Sequence, residues 1–288
     1  MSNEVMDWSV IDYKSTVELL LQQRGSKFRN AVMTDNYHGK SGAAVNQVGP
    51  VTAQLRTTRH ADTPLIETPQ DRRWVYPSDY EWADLIDDAD KLRIISDPAS
   101  PYAINGAMAL GRAMDDLVIT AATDTAKTGE DGSTSTSFPA GQTATTTAGG
   151  LTVAKLREAM QLFIAAEVDV DNDQLFCAIG AQQHDDLLGQ TQAISLDYTN
   201  EPVLVDGRIK SFMGFNFIDS QRLALSGTDR TVICWAKSGL HLGVWNDINV
   251  QISDRADKSY STQVYVKGTF GATRVEEKKV VAITCSEA

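Results

Sequence analysis

The chain has 288 residues, 42% of them hydrophobic, and a formal net charge of -12. This length can bury at least one hydrophobic core and allows one or two domains. The acidic balance excludes a broad basic surface for nucleic acid, because phosphate contacts need clustered lysine and arginine. The first ten residues, MSNEVMDWSV, lack the basic and apolar regions of a signal peptide. No apolar run reaches the roughly 20 residues that a membrane span needs.

The first part of the chain predicts little regular structure. Apolar residues recur at helical spacing over 13–24, and Gly25 is a natural end for that short helix. Three prolines exclude a helix interior from 56–77. This stretch is therefore predicted to hold two extended segments, 55–60 and 72–77, joined by a polar crossover.

Two helices are predicted to follow. The first is short, over 84–96, and ends at an Asp-Pro step. The second is amphipathic over 100–127, about 40 Å long, and starts at a serine cap followed by proline. Gly106 and Gly111 lie inside it, where each glycine costs about 1 kcal/mol relative to alanine. They predict that another backbone approaches the helix closely.

The remainder of the chain mixes helices and strands. Residues 128–150 are nearly all small and polar, which predicts a flexible surface loop. Thr152 is predicted to cap the next helix, which is followed by a strand at 174–179 and a helix at 181–188. Strands are then predicted at 203–225 (with turns between them), 230–236, 246–253, 261–272 and 279–284. The element order predicts an α+β fold.

Tests for catalytic and metal-binding motifs give no site. The histidines are isolated, and the widely spaced cysteines, which form no CxxC pair, are typical of free thiols in a reducing cytoplasm. Asp169, Asp171 and Asp173 have the spacing that opens a calcium loop, but Gln174 and Gly180 replace the required glycine and glutamate. A solvated turn is the favoured interpretation. The histidines and cysteines concerned are His38, His60, His184, His241, Cys177, Cys234 and Cys285.

Nucleotide and serine-nucleophile sites are not favoured either. Gly106 and Gly111 have phosphate-loop spacing, but Arg112-Ala113 replaces the Lys-Ser/Thr pair, and the glycines lie inside a helix. The chain contains no GxSxG motif. We therefore expect no catalytic residue, no cofactor and no metal. An unrecognised site at the paired carboxylates is the enzymatic alternative.

A cluster of charged and aromatic residues predicts an interface between subunits. Arginine can hold a carboxylate with two parallel hydrogen bonds, and tryptophan and tyrosine are enriched at interfaces. Isolated surface charges, worth 0–1 kcal/mol each, are the alternative. Asp115 and Asp116 lie on the long helix and are candidates to face a partner's arginines. The full set of predicted interface residues is Arg56, Arg59, Asp62, Arg72, Arg73, Trp74, Tyr76, Asp115 and Asp116.

Several stretches together resemble the major capsid proteins of tailed phages, which have the Hong Kong 97-type fold. They are RHADTP at 59–64, YPSDYEWADLIDDADKLRIISDPASPY at 76–102, GFNFIDS at 214–220, AKSGLHLGVWNDINVQIS at 236–253 and GTFGATRVEEKKVVAI at 268–283. Arg72, Arg73 and the long helix also match. Each stretch alone is a weak signal, but together they cover most of the chain.

The resemblance implies a division of the chain and a function. The function is a major capsid protein that self-assembles into pentamers and hexamers of an icosahedral shell. The implied segments begin with an N-terminal arm (1–40) and an extended loop over an adjacent subunit (41–83). The first part of the peripheral domain (84–150) follows and contains the spine helix (100–127). An axial domain (151–245) and the C-terminal strands of the peripheral domain (246–288) complete the chain. An encapsulin-like compartment shell is the alternative within the same fold.

The resemblance also implies partners and a location. Because the chain starts almost directly at its arm, a separate scaffolding protein and a portal are expected. The packaged DNA would be enclosed without sequence-specific binding, a decoration protein could attach, and no membrane is involved. Assembly in the host bacterial cytoplasm is expected. Reversing the charge of Arg72 and Arg73 is predicted to block assembly and to leave the monomer folded.

Overall fold

The computed structural model of the protein describes residues 22–59, 62–63, 65–86, 99–144, 149–190, 204–205 and 208–287. The helices are α1 (Ala99–Thr123), α2 (Val153–Ala165) and α3 (Ala181–Leu188). The strands are β1 (Met33–Asn36), β2 (Gly42–Val48), β3 (Gln70–Val75), β4 (Ser78–Ile86), β5 (Ala126–Thr128), β6 (Thr134–Thr136), β7 (Thr143–Ala144), β8 (Leu175–Ile179), β9 (Leu204–Val205), β10 (Arg208–Ile209), β11 (Ser211–Phe212), β12 (Phe215–Asp219), β13 (Leu225–Ser226), β14 (Asp229–Ala236), β15 (Leu240–Arg255), β16 (Ser261–Arg274) and β17 (Val280–Ser286). None of the helices in these ranges is long and apolar enough to cross a membrane.

The long helix α1 packs against a four-stranded sheet with the order β1-β15-β16-β4. β1 runs parallel to β15, and the other neighbours are antiparallel. A Cβ atom at Gly111 would lie 2.7 Å from the backbone of Gly25, so the predicted close approach of a second backbone is confirmed there. At Gly106 the neighbours are instead the side chains of Trp82 and Val266, which would lie within 2.7 Å of a Cβ. Both glycines bring α1 closer to its neighbours than alanine would allow.

A second sheet has seven strands in the order β11-β12-β8-β14-β17-β7, with β13 beside β14. Helix α2 packs on β17, and its cap is the one predicted: the Thr152 hydroxyl accepts a hydrogen bond from Lys155 N at 3.3 Å. Leu156 and Phe163 are fully buried, while Ile164 is 59% exposed. The side of α2 that carries Ile164 therefore faces away from the core.

A third, small sheet has the order β2-β3-β5-β6. β2 and β3 form an antiparallel hairpin, and β5 pairs with the C-terminal half of β3 through Arg73 and Trp74. β5 follows α1 directly in the chain, so this sheet is attached to the C-terminal end of the long helix. It supports the long loop that connects β2 to β3.

One hydrophobic core joins α1 to the first two sheets. Met114 and Val118 of α1 belong to the same buried cluster as Trp235 of β14 and Leu242 of β15. The Trp235 indole nitrogen donates a hydrogen bond to Ala31 O at 2.9 Å, so the N-terminal segment is part of this core. The elements around α1 are thus held together by continuous apolar packing.

Several boundaries differ from the sequence predictions. Helix α1 ends at Thr123 and not at 127, because the chain turns into β5 at Ala126. The predicted flexible loop at 128–150 contains β6 and β7, and Ala144 is fully buried. That prediction was wrong because it considered apolar burial alone. Backbone hydrogen bonds to β5 and β17 also order small polar residues.

The helices predicted at 13–24 and 84–96 and the extended segment predicted at 55–60 do not appear in the described residues. The helix predicted at 84–96 is wrong for 84–86, which continue β4, while 87–96 lie outside the described residues. The helix predicted at 13–24 lies outside them too, except for 22–24, which are not helical. Of the two extended segments, 72–75 belongs to β3, whereas 55–59 forms no strand.

The C-terminal strands extend across the predicted domain boundary at residue 246. Strand β15 begins at Leu240 and continues through residue 246 in the same sheet. The last strand, β17, pairs with β14 and β7 in the seven-stranded sheet and not with the sheet under α1. The chain therefore returns to the second sheet at its C-terminal end.

Candidate assembly interface

The connection between β2 and β3 spans 49–69, of which the structure describes all residues except 60, 61 and 64. Its base is closed by a hydrogen bond from Gly49 N to Pro69 O at 2.8 Å. The described residues between these two form no helix or strand. Their large apolar side chains are exposed: Val51 by 55%, Leu55 by 89% and Leu65 by 99%. Several exposed apolar side chains on one segment are typical of a surface that takes part in an interaction.

Three of the predicted interface residues are exposed on this loop. They are Arg56, Arg59 and Asp62. Arg56 Nε donates a hydrogen bond to Thr58 O at 3.1 Å, a contact within the loop itself. The loop therefore presents charges of both signs beside its apolar side chains.

The next three predicted residues lie at the root of the loop and are partly exposed. Arg72 Nε donates to Asn46 Oδ1 at 2.7 Å, and its guanidinium lies 5.6 Å from the centre of the Trp74 ring. The Trp74 indole nitrogen donates to Gly129 O at 2.8 Å. Tyr76 is 45% exposed. These residues have contacts within their own subunit and still present surface to a neighbour.

Arg73, which was predicted to face a neighbouring subunit, points into its own. Its side chain is 5% exposed and forms an ion pair with Glu277, Nη2 to Oε2, at 2.8 Å. Arg73 Nε also donates to Gln47 Oε1 at 3.3 Å, and Gln47 Nε2 donates to Val275 O at 2.6 Å. Reversing the charge of Arg73 would bury two like charges together, so the folded monomer predicted for that variant is not expected.

A second buried arginine completes this cluster. Arg274 is fully buried, and its guanidinium donates to the carbonyl oxygens of Ala122, Asp124 and Thr136 at 3.1, 2.6 and 3.3 Å. It lies at the C-terminal end of α1, where a cation is favourable. Burial lowers the pKa of Arg274, and the nearby Glu277 carboxylate, 3.8 Å away, opposes that shift. We call Gln47, Arg73, Arg274 and Glu277 the loop clamp.

Asp115, also predicted to face a partner, is fully buried within its own chain. Its carboxylate accepts hydrogen bonds from Gln23 Nε2 and Ser26 Oγ, both at 2.5 Å. It also accepts from the backbone nitrogens of Lys27 at 3.0 Å and Phe28 at 3.2 Å. Asp115 thus ties the segment before β1 to α1, and we call it the arm anchor.

Asp116 is likewise paired within the chain. The Arg222 guanidinium donates to both of its carboxylate oxygens, with Nε to Oδ1 at 2.5 Å. The two side chains are 36% and 44% exposed, so the pair lies at the surface. Arg29 and Asp247 form a similar bidentate pair at 3.0 and 2.7 Å. The acidic pair of α1 therefore orders its own subunit.

The residues that the sequence offered as metal-binding candidates form structural contacts. Asp169 accepts hydrogen bonds from Asn172, and Asp173 accepts them from Ser238, as in the turn that the sequence favoured. The buried His241 lies 2.8 Å from the Tyr37 hydroxyl. Among the described residues no group of three or more His, Cys, Asp or Glu side chains is arranged to hold a metal ion.

The loop clamp was not predicted from the sequence, although one of its residues, Arg274, lies in a recognisable pattern. Arg274 follows Phe270 and Ala272 at alternate positions of β16, so a charged residue occupies a core-facing position. Such a residue predicts a buried partner. Its partner Glu277 lies in the following turn and has no such pattern. Gln23 and Ser26 also have no sequence signal, because they meet Asp115 only through the tertiary fold.

The architecture is that of a shell-forming capsid protein, as comparisons with known proteins show. A structure described as Mycobacterium phage Che8 superimposes with a TM-score of 0.72 at 16% identity, covering 94% of this chain and 95% of the other. The capsid asymmetric unit of cyanophage Pam1 gives 0.71 at 12% identity, with 96% of each chain covered. The capsid of a native GTA particle gives 0.71 at 12% identity, covering 98% of this chain and 97% of the other. The predicted α+β Hong Kong 97-type fold is confirmed.

The family follows from the sequence itself. The model of the phage capsid protein family matches residues 5–287, so the chain belongs to that family. A search of curated proteins gives no match. As a phage capsid protein the chain is a component of a multimeric shell and of the virion.

Proposed function

We propose that the chain is the major capsid protein of a tailed bacteriophage, which assembles into pentamers and hexamers of an icosahedral head around double-stranded DNA. The proposal is supported by the contrast between the outer part and the root of the 49–69 loop. Leu55 and Leu65 are almost fully exposed at its outer part, while Arg73 at its root is buried and forms an ion pair with Glu277. A monomer derives no stability from such a loop. A neighbouring copy that covered it would bury apolar area worth about 25 cal/mol per Å².

The proposed interface differs from the set predicted from the sequence. It keeps the exposed loop residues and the partly exposed residues at the loop root, and it omits Arg73 and Asp115, which are buried in their own subunit. Asp116 is retained only as a surface ion pair with Arg222. The remaining interface residues are Arg56, Arg59, Asp62, Arg72, Trp74 and Tyr76.

The division of the subunit is proposed in corrected form. The N-terminal arm precedes residue 41, and the extended loop with its supporting hairpin covers 41–75. α1, β4, β15 and β16 form the peripheral domain. The seven-stranded sheet with α2, α3 and the C-terminal strand forms the axial domain. The arm anchor and the loop clamp hold the arm and the loop to these domains.

The proposed partners follow from charge and architecture. The net charge of -12 suits a shell that encloses DNA without binding its sequence, because an acidic wall repels phosphate. Each subunit forms only weak contacts, but a closed shell sums them over many copies. A separate scaffolding protein and a portal are proposed for assembly in the host cytoplasm, with a decoration protein as an optional addition. We propose no catalytic role. The family match favours the phage shell over an encapsulin-like compartment.

Electron microscopy of the purified protein, alone and with its scaffolding protein, tests this function. The expected result is closed shells of uniform diameter with pentameric and hexameric units. Sedimentation measures the assembled mass in parallel. A protein that stays monomeric under both conditions would contradict the proposal.

A further inference from the structure

Two of the three buried cysteines lie side by side in the seven-stranded sheet. Cys177 of β8 and Cys234 of β14 are direct register partners on adjacent antiparallel strands. The Cys234 thiol donates a hydrogen bond to Cys177 Sγ at 3.2 Å, and both side chains are fully buried. All three cysteines are free thiols in this structure.

The backbone geometry of this pair suits a covalent link. Directly opposed residues of antiparallel strands have Cα atoms about 4.5 or 5.5 Å apart, depending on the pair type. A disulfide requires about 4.4–6.8 Å between Cα atoms, so both pair types meet the requirement. The sulfur atoms already face each other, so closing the bond needs a small rotation of the side chains and no movement of the strands.

The two thiols also share one side of the sheet. Ala178, which follows Cys177, and Ile233, which precedes Cys234, face α1 and line a small void there. Because side chains alternate along a strand, Cys177 and Cys234 point to the opposite side. Cys285 has Arg230 as its register partner on β14, so it has no cysteine opposite it.

We propose that Cys177 and Cys234 are a disulfide-forming pair, which stays reduced in a reducing environment and becomes a covalent cross-strand link when the protein meets an oxidant. In this reaction both S–H bonds break and one S–S bond forms. The two protons and two electrons pass to an external oxidant of the diazene or small-molecule disulfide class. The link joins β8 to β14 and closes a chain segment with a sequence separation of 57 residues. The proposal is independent of the shell function.

The reaction is expected to be slow in the native protein. Burial raises the pKa of the Cys177 thiol well above its usual value, and the thiolate is the attacking species. Opening of the sheet is therefore needed before the oxidant can reach the pair. Once formed, the link should raise the midpoint of thermal unfolding by roughly 5–10 °C, since it restricts the unfolded chain.

The test oxidises the full-length protein with diamide, a diazene, in native buffer and in a low urea concentration that allows the sheet to open. The protein is then denatured, its free thiols are alkylated, and its peptides are mapped by mass spectrometry. The expected result is one free thiol, Cys285, and a linked peptide that contains Cys177 and Cys234. The matched control Cys285→Ser should give the same link and the same gain in unfolding midpoint, whereas Cys234→Ala should give neither.

Two results would overturn the proposal. One is three alkylated thiols in both buffers after prolonged oxidation, because the pair would then not react even when exposed. The other is a link that involves Cys285, because the register pairing would then not control the reaction. Peptide mapping of the unmodified sequence decides between these outcomes even if a variant fails to fold.

Discussion

The root and the outer part of the same loop are opposite in character. At the root, Arg73 and Arg274 are buried, Glu277 is partly buried beside them, and each forms hydrogen bonds or ion pairs with other elements of the subunit. In the outer part, Leu55 and Leu65 are exposed, and the described residues form no strand. The subunit therefore fixes where the loop leaves its surface, and we propose that a neighbouring copy covers the outer part. Variants at the root should therefore change the stability of the subunit, and variants in the outer part should change assembly.

The largest effect on stability is expected at Arg274. In Arg274→Met the carbonyl oxygens of Ala122, Asp124 and Thr136 lose their donor and stay buried, and Glu277 loses a nearby charge. We expect a loss of about 3–5 kcal/mol in the free energy of unfolding. Urea unfolding measures it, and Arg56→Met is the matched control on the exposed loop. A loss below 1 kcal/mol would show that the clamp does not depend on this residue.

An effect of intermediate size is expected at the arm anchor. Asp115→Asn keeps the shape of the side chain but removes a charge that accepts hydrogen bonds from four donors within 23–28. Hydrogen bonds to charged groups are worth about 1.5–3 kcal/mol, so we expect destabilisation of that order. Limited proteolysis should also cut more rapidly between Gln23 and Phe28. Asp116→Asn, which affects an exposed pair, should change both measurements much less, and equal effects of the two variants would contradict the anchor role.

A smaller and more specific effect is expected for the pair within the clamp. A double-mutant cycle with Arg73→Ala and Glu277→Ala isolates their interaction from the other contacts of each residue. Because both side chains are largely buried, we expect a coupling free energy of about 1–3 kcal/mol. Additive losses, with no coupling, would show that the two residues stabilise the root independently.

The elements that the sequence predicts well are those with local signals. The Thr152 cap, β8, α3 and the core of α1 each follow from capping or periodicity within a few residues. The end of α1 was less predictable, because the chain continues with helix-compatible residues and β5 forms only by pairing with β3. Tertiary pairing overrode local preference there.

The proposed interface was also only partly predictable, because tertiary contacts decide which way its side chains point. Sequence reasoning finds charged and aromatic residues near the loop, but it does not distinguish an arginine that faces solvent from one that faces its own subunit. Arg72 and Arg73 are adjacent on β3, and alternation along the strand sends one outwards and the other into the clamp. The ion-pair partner of Arg73 is 204 residues away in the chain, and the partners of Asp115 are 87–92 residues away, so no local pattern indicates them.

The most direct measurement of the central claim compares folding and assembly in one loop variant, Leu55→Ser with Leu65→Ser. Since both side chains are exposed in the subunit, the free energy of unfolding of the monomer should change by less than about 0.5 kcal/mol. Electron microscopy under conditions in which the unmodified protein forms shells should show that the variant forms few or none. Normal shell yield from the variant would contradict the claim that a neighbouring copy covers this loop.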